Sequence, residues 1–183
     1  MSEPSIDSNL SLDEALMNLE VPSDVKSTLI LLDIPHLGFD GLLHRGQLVV
    51  HKEIEKEVQE IFSKLLALQF PIQKIIPIVK YDWEDTRSMS DNNTSAFNYR
   101  KILGTDRLSN HSFGRALDIN PVQNPYFARD SVSYPEGAVY DTTKAGTIEK
   151  EGVVVKLFKS YGWVWGGDWT TPVDYQHFEK PIA

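Results

Sequence analysis

The clearest hydrophobic rhythm in the chain runs from Ile54 to Leu66. Ile54, Val58, Ile61, Phe62, Leu65 and Leu66 recur at the spacing of one helical face, with Glu and Lys between them. This predicts an amphipathic helix over 52–68, closed by Pro71. Val153, Val154, Leu157 and Phe158 repeat the pattern and predict a second helix over 148–161, with Gly162 at the position that commonly ends one. A third, shorter helix is expected over 12–19. Its start, Ser11-Leu12-Asp13-Glu14, has the form of a capping box, and Pro22 stops it.

Other apolar runs are short and β-branched. They predict strands at Thr28–Leu32, Gln47–Val50, Ala116–Ile119, Trp163–Trp165 and Tyr175–Phe178. Ile75–Tyr81 reads as a strand that Pro77 confines to an edge or a bulge, and Phe97–Arg100 as a further short strand. Asp40-Gly41 and Arg45-Gly46 read as turns. Residues 1–10 read as a tail and 82–96 as a polar loop. The stretch 124–147 contains Pro125, Pro135, Gly137 and Gly146 and has no periodicity, which marks it as a lid or binding loop. The expected fold class is α+β: a small, mostly antiparallel sheet packed with the two long helices. Residues 1–20 form a tail and short helix, and 21–183 form a single domain without repeats or an internal linker.

Composition narrows the function classes. With 183 residues, 41% hydrophobic and 24% charged, the chain can bury a core of its own. A net charge of -8 argues against nucleic acid or an anionic membrane as partner. No apolar run is long enough to span a bilayer. There is no cysteine, hence no disulfide and no thiolate chemistry. The opening MSEPSIDSNLSLDEAL lacks the basic start and apolar middle of a secretory leader, so the export route is left open.

The chemistry gathers late in the chain. SNHSFGRALDINP sets His111 seven positions before Asp118, with Gly114 and small residues between them. Alone, such a pair is usually an ordinary hydrogen-bonded contact. DYQHFE then adds His177, with Asp174 three positions before it. Two histidines and one aspartate make a three-ligand zinc set with a fourth position open. One more carboxylate, not bound to the metal, is what metal-assisted hydrolysis needs as general base.

Ser109, His111, Gly114, Ala116 and Asp118 spell S-x-H-x-x-G-x-A-x-D, which resembles the signature of the M15 zinc peptidases. That family includes D-Ala-D-Ala dipeptidases and carboxypeptidases of the vancomycin-resistance type. It also includes L-alanyl-D-glutamate endopeptidases of phage endolysins and of bacterial wall lysis. Asp174 and His177 are similar to the family's second motif, D-x-x-H. Trp163, Trp165, Gly166, Gly167 and Trp169, with the run Asn92–Arg100, resemble one subgroup, and the likeness extends over roughly 39–180.

The resemblance implies the fold shared with the hedgehog signalling domain. It also implies one zinc ion on His111, Asp118 and His177, Asp174 as base, and Arg100 as a cation facing the substrate. The substrate would be a peptidoglycan stem peptide, cut as a D-Ala-D-Ala carboxypeptidase or as an L-Ala-D-Glu endopeptidase. Aspartate rather than glutamate at the base position points towards the endopeptidase branch. The enzyme would be a monomer working in the cell envelope or periplasm, or released by a phage. The alternative is a non-catalytic zinc module that recognises wall peptide or a protein partner, against which the intact Asp174 speaks.

The remaining candidates have plainer readings beside the functional ones. Ser109 can cap or orient the histidine loop. Glu179 shares a strand face with His177 and can orient that ring or stand exposed. Trp165 can face substrate, although Trp163, Trp165 and Trp169 read first as packing. Arg87 and Arg115 are alternative cations that read as solvated. His36, His44 and His51 read as surface or turn residues. The acidic run Asp82–Asp91 lacks the glycine and terminal glutamate of a calcium loop.

Overall fold

A computed structural model describes residues 3–181. Its first half is built on a long hairpin. The strand β1 (Ser5–Ile6) is followed by two short helices, α1 (Leu12–Ala15) and α2 (Ser23–Lys26), and then by β2 (Leu29–Leu37) and β3 (Leu43–His51). β2 and β3 pair without interruption from Leu29↔His51 to Leu37↔Leu43, and β1 adds to β3 in parallel. The helix α3 (Glu55–Ala67) lays Val58, Ile61, Phe62 and Leu65 on this sheet, against Leu32, Ile34, Leu48 and Val50. That is the face its periodicity foretold.

Three readings of this half are corrected. Arg45-Gly46 is not a turn, because Gly46 pairs with Ile34 inside β3. A side chain there would come 2.3 Å from the Ile75 carbonyl, so the glycine serves a close crossing of chains. Residues 5–10 are not a loose tail. Asp7 N donates to Arg45 O (3.0 Å), and Gln47 Oε1 accepts from Ser8 Oγ (2.8 Å) and Leu10 N (2.7 Å). The capping box of α1 forms as spelled, but the helix ends at Ala15.

Beyond α3 comes β4 (Lys74–Ile75), only two residues long. The run expected to be a strand instead turns into a 3-10 helix at Ile78–Tyr81, started by Pro77. Proline suits that place, the extended residue just before the first turn (φ -56°, ψ 140°), because its missing N–H takes no bond from the helix. The polar stretch that follows holds α4 (Asp85–Ser90) and β5 (Asn93–Thr94), the latter parallel to β4. Apolar periodicity could not reveal α4, since Ser88 is its one buried residue. Phe97–Arg100 joins no strand ladder.

The second half carries β6 (Ala116–Asp118), β7 (Tyr126–Phe127), β8 (Ser133–Tyr134), α5 (Val153–Ser160), β9 (Val164–Trp165), β10 (Val173–Asp174) and β11 (His177–Glu179). One sheet runs β6-β11-β9 and another β10-β7-β8, both antiparallel. The α5 helix starts only at Val153 and ends before Gly162, whose φ is +77°. Its Phe158 stacks on Phe178 at 3.9 Å between ring centres. The larger of two core clusters spans both halves, with Ile34, Phe62, Leu117, Phe158, Trp165 and Phe178 in it, and a smaller one gathers Ala15, Leu16, Leu29, Val49 and Phe97. The fold is α+β, as expected. Among the described residues, however, its strands form four small sheets rather than one. No described helix is long and apolar enough to cross a membrane.

Candidate metal centre

Backbone pairing sets the first two members of the site. In the β6–β11 ladder, Asp118 lies directly opposite His177. Cross-strand neighbours point to the same face, and His177 Nδ1 stands 3.1 Å from Asp118 Oδ1. The third member comes from the 3-10 turn Asn110–Phe113. Ser109 caps that turn by accepting from His111 N (3.3 Å), and Gly114 closes it at φ +64°. A side chain on Gly114 would meet His51 N at 2.7 Å, so this glycine answers both a left-handed backbone and a close approach. His111 Nε2 then lies 3.2 Å from Asp118 Oδ2 and 3.2 Å from His177 Nδ1. The three ligand atoms all fall within 4.8 Å of one another.

The outer nitrogen of each ring is committed elsewhere. His111 Nδ1 is held by the Ala96 carbonyl. His177 Nε2 is held by Glu179 Oε2 at 3.1 Å, and that oxygen also accepts from Asn110 Nδ2 at 2.8 Å. These bonds fix the tautomers so that His111 Nε2 and His177 Nδ1 turn their lone pairs inward. Two imidazole lone pairs and a carboxylate then face one another in a buried place, an arrangement that calls for a cation between them. The donor set, two nitrogens and one carboxylate, suits zinc.

Titration in the absence of an ion expresses the same demand. Burial works against charge on Asp118, yet His111 and His177 hold its carboxyl far below the ordinary range. Burial likewise lowers His177, but hydrogen bonds to Asp118 and Glu179 win and raise it to about 10. The hydrogen bond from His177 holds Glu179 down. Beside the cluster, burial pushes Asp174 up to about 7; Asp118 adds to the rise, while His177 and Arg100 oppose it. Asp174 Oδ1 is buried and has no hydrogen-bond partner. It is a carboxylate held next to the ligands and tied to none of them.

Gly166 explains how Asp174 gets there. A side chain on Gly166 would lie 2.6 Å from Asp174 O, 2.9 Å from Asp174 Cβ and 3.2 Å from His177 Cβ. Gly166 is therefore a cradle for the D-x-x-H segment, while Gly167 leaves room for the Trp165 ring. Trp165 itself is fully buried and donates from Nε1 to Tyr175 O at 2.9 Å. It braces the turn between Asp174 and His177 from the core. Trp169 packs near His177, with ring centres 5.4 Å apart.

Arg100 pairs through Nε with Asp85, which also accepts from Asn98 Nδ2 at 2.6 Å. Ser112 Oγ accepts from Arg100 N (2.9 Å), which ties this segment to the histidine turn. The alternative cations turn elsewhere: Arg115 pairs with Glu53 and Arg87 with Asp82. His51 caps the turn before α3 by accepting from Glu53 N at 3.2 Å. Asn110, Asp85 and the Ala96 carbonyl were not singled out in the sequence. A backbone carbonyl has no sequence signature, and Asn110 shows its use only once Glu179 is beside it. The 124–147 stretch was singled out, but its contribution was not foreseen: Tyr126 pairs with Asp174 across β7 and β10, so the β7–β8 hairpin flanks that carboxylate.

Residues 103–180 match the M15 peptidase family model described as D-alanyl-D-alanine carboxypeptidase. The matched segment holds His111, Asp118, Asp174, His177, Ser109, Trp165 and Glu179; Arg100 lies before it. No curated protein and no solved structure matches the chain. The likeness to a peptidase thus rests on the part of the chain that builds the cluster.

Proposed function

We propose that the protein is a zinc-dependent peptidase that hydrolyses a peptide bond in the stem peptides of peptidoglycan. The observation that carries this reading is the convergence of His111 Nε2, Asp118 and His177 Nδ1 beside the unbonded Asp174 Oδ1. His111, Asp118 and His177 would hold the ion. When bound, the ion supplies Lewis acidity, polarising a carbonyl and acidifying water. Asp174 takes the proton of the attacking water and passes it to the leaving amine as the C–N bond breaks. Burial works to raise the pKa of this carboxyl in the metal-free protein, the direction that a general base acting near neutral pH needs. Arg100 offers positive charge to the substrate's carboxylate or to the developing oxyanion. Ser109 and Glu179 position His111 and His177. The β7–β8 hairpin forms the wall nearest Asp174 and contributes to the choice between a terminal D-alanine and an internal L-Ala-D-Glu bond.

The test is digestion of defined muropeptides by the full chain, with products weighed by mass spectrometry. Loss of one terminal D-alanine reports a carboxypeptidase, and separation of a muramyl-L-alanine fragment from a peptide that begins with D-glutamate reports an endopeptidase. Intact muropeptides with zinc-loaded protein contradict the proposal and favour a binding module.

A further inference from the structure

A second cluster repeats the chemistry of the first at the opposite end of the hairpin. His36 and His44 lie directly opposite each other in the β2–β3 ladder, as Asp118 and His177 do in theirs. Asp7, from the segment after β1, completes the set. Its Oδ1 stands 2.9 Å from His44 Nδ1, and its Oδ2 stands 3.2 Å from His36 Nε2. All three ligand atoms fall within 4.8 Å of one another. The side chains are 7%, 2% and 13% exposed for Asp7, His36 and His44, so the meeting point is shielded.

The outer bonds also match. His36 Nδ1 faces the Ile34 carbonyl at 3.2 Å, as His111 Nδ1 faces Ala96 O. His44 Nε2 faces the Asp40 carboxylate at 3.1 Å, as His177 Nε2 faces Glu179. Asp7 Oδ2 additionally accepts from Ile75 N at 2.9 Å. Each ligand is therefore oriented from behind. One observation sets the cluster apart from a hydrogen-bonded knot: His36 Nε2 is buried against Asp7 yet makes no hydrogen bond. The ring nitrogen and the carboxylate stand 3.2 Å apart out of line for a good hydrogen bond, the relation that two ligands of one ion have to each other.

We propose that Asp7, His36 and His44 bind a second divalent first-row ion, of which zinc is the natural candidate. Two imidazoles and one carboxylate favour zinc over calcium or magnesium, which prefer all-oxygen shells. This site is structural. It lies far from the first cluster: His44 and His51 are seven residues apart on β3, about 23 Å at ~3.3 Å per residue, and His51 N donates to Gly114 O. What it joins are three separate stretches of chain: the segment after β1, the far end of the hairpin and, through Ile75 N, β4.

Crystals of the full chain grown with zinc, measured at the zinc absorption edge, test this directly. An anomalous peak between Asp7, His36 and His44 is expected, whatever the first cluster holds. Its absence overturns the proposal without touching the catalytic reading. In solution, wild-type protein dialysed against zinc-free buffer should retain two equivalents of zinc. His36→Gln should retain one, with muropeptide cleavage unchanged and the segment before α1 cut faster by protease. A folded His36→Gln that keeps the same zinc content as the wild type also overturns the second site.

Discussion

At the scale of single residues, the site depends on how each side chain is held from behind. Asp174 is the clearest case, because its Oδ1 is buried beside the ligands and free of hydrogen bonds. Asp174→Ala should keep zinc, by elemental analysis, while turnover falls by about 10²- to 10⁴-fold, the usual contribution of a general base. Wild-type turnover in zinc-loaded Asp174→Ala would remove Asp174 from the mechanism. Glu179 acts one step further out, through His177 Nε2. Glu179→Gln should weaken zinc binding by about 10- to 100-fold, with cleavage recovering at saturating zinc. His111, Asp118, Asp174 and His177 could be singled out in the sequence because histidine and aspartate carry their chemistry in their identity. Glu179 was legible from the two-residue period of a strand. Asn110 and the Ala96 carbonyl were not, since their roles exist only after folding brings residues 110 and 179, or 96 and 111, together. His36 and His44 were misread as surface residues for the same reason: only the hairpin register makes them neighbours.

At the scale of elements, two glycines decide whether the ligands arrive. Gly166→Ala would set a methyl group against the Asp174 backbone, which cannot swing aside as a long side chain could. Cleavage should fall more than zinc content, as the base is displaced before the ligands. Gly114→Ala combines a left-handed backbone, costing about 1–2 kcal/mol for a residue with a Cβ, with a clash on His51 N. Urea denaturation should show a loss of at least about 1 kcal/mol, and zinc content should drop because His111 sits on the same turn. The helix α3 was legible because burial imposes a helical period on its apolar residues. The α4 helix was hidden because it buries almost nothing. Ile75–Tyr81 misled because its β-branched composition suits a strand, while Pro77 in its middle starts a turn.

At the scale of the molecule, the larger core cluster couples both halves, so the charge state of the centre bears on the stability of the whole. In metal-free protein, His177 titrates near 10 when folded and near its ordinary 6.5 when unfolded. A raised folded pKa means the folded state binds the proton more tightly. This contribution is complete below about pH 6.5 and is lost as pH rises towards 10. Thermal unfolding of chelated protein should therefore move to lower temperature across that range, and His177→Gln should flatten the slope. Zinc should reverse the trend, since neutral imidazoles bind it better as pH rises. The α+β class was legible from patterning. The division into four sheets was not, because pairing partners such as β7 and β10 lie far apart in the chain and the strands are only two residues long.

The most direct measurement strips the protein of metal and titrates zinc back while muropeptide cleavage is followed. Cleavage should be absent at the start and rise to a plateau as zinc is added, and His111→Gln should stay inactive at every zinc concentration. Cleavage that proceeds equally well in the stripped protein, or in His111→Gln, would contradict a centre built on His111, Asp118 and His177.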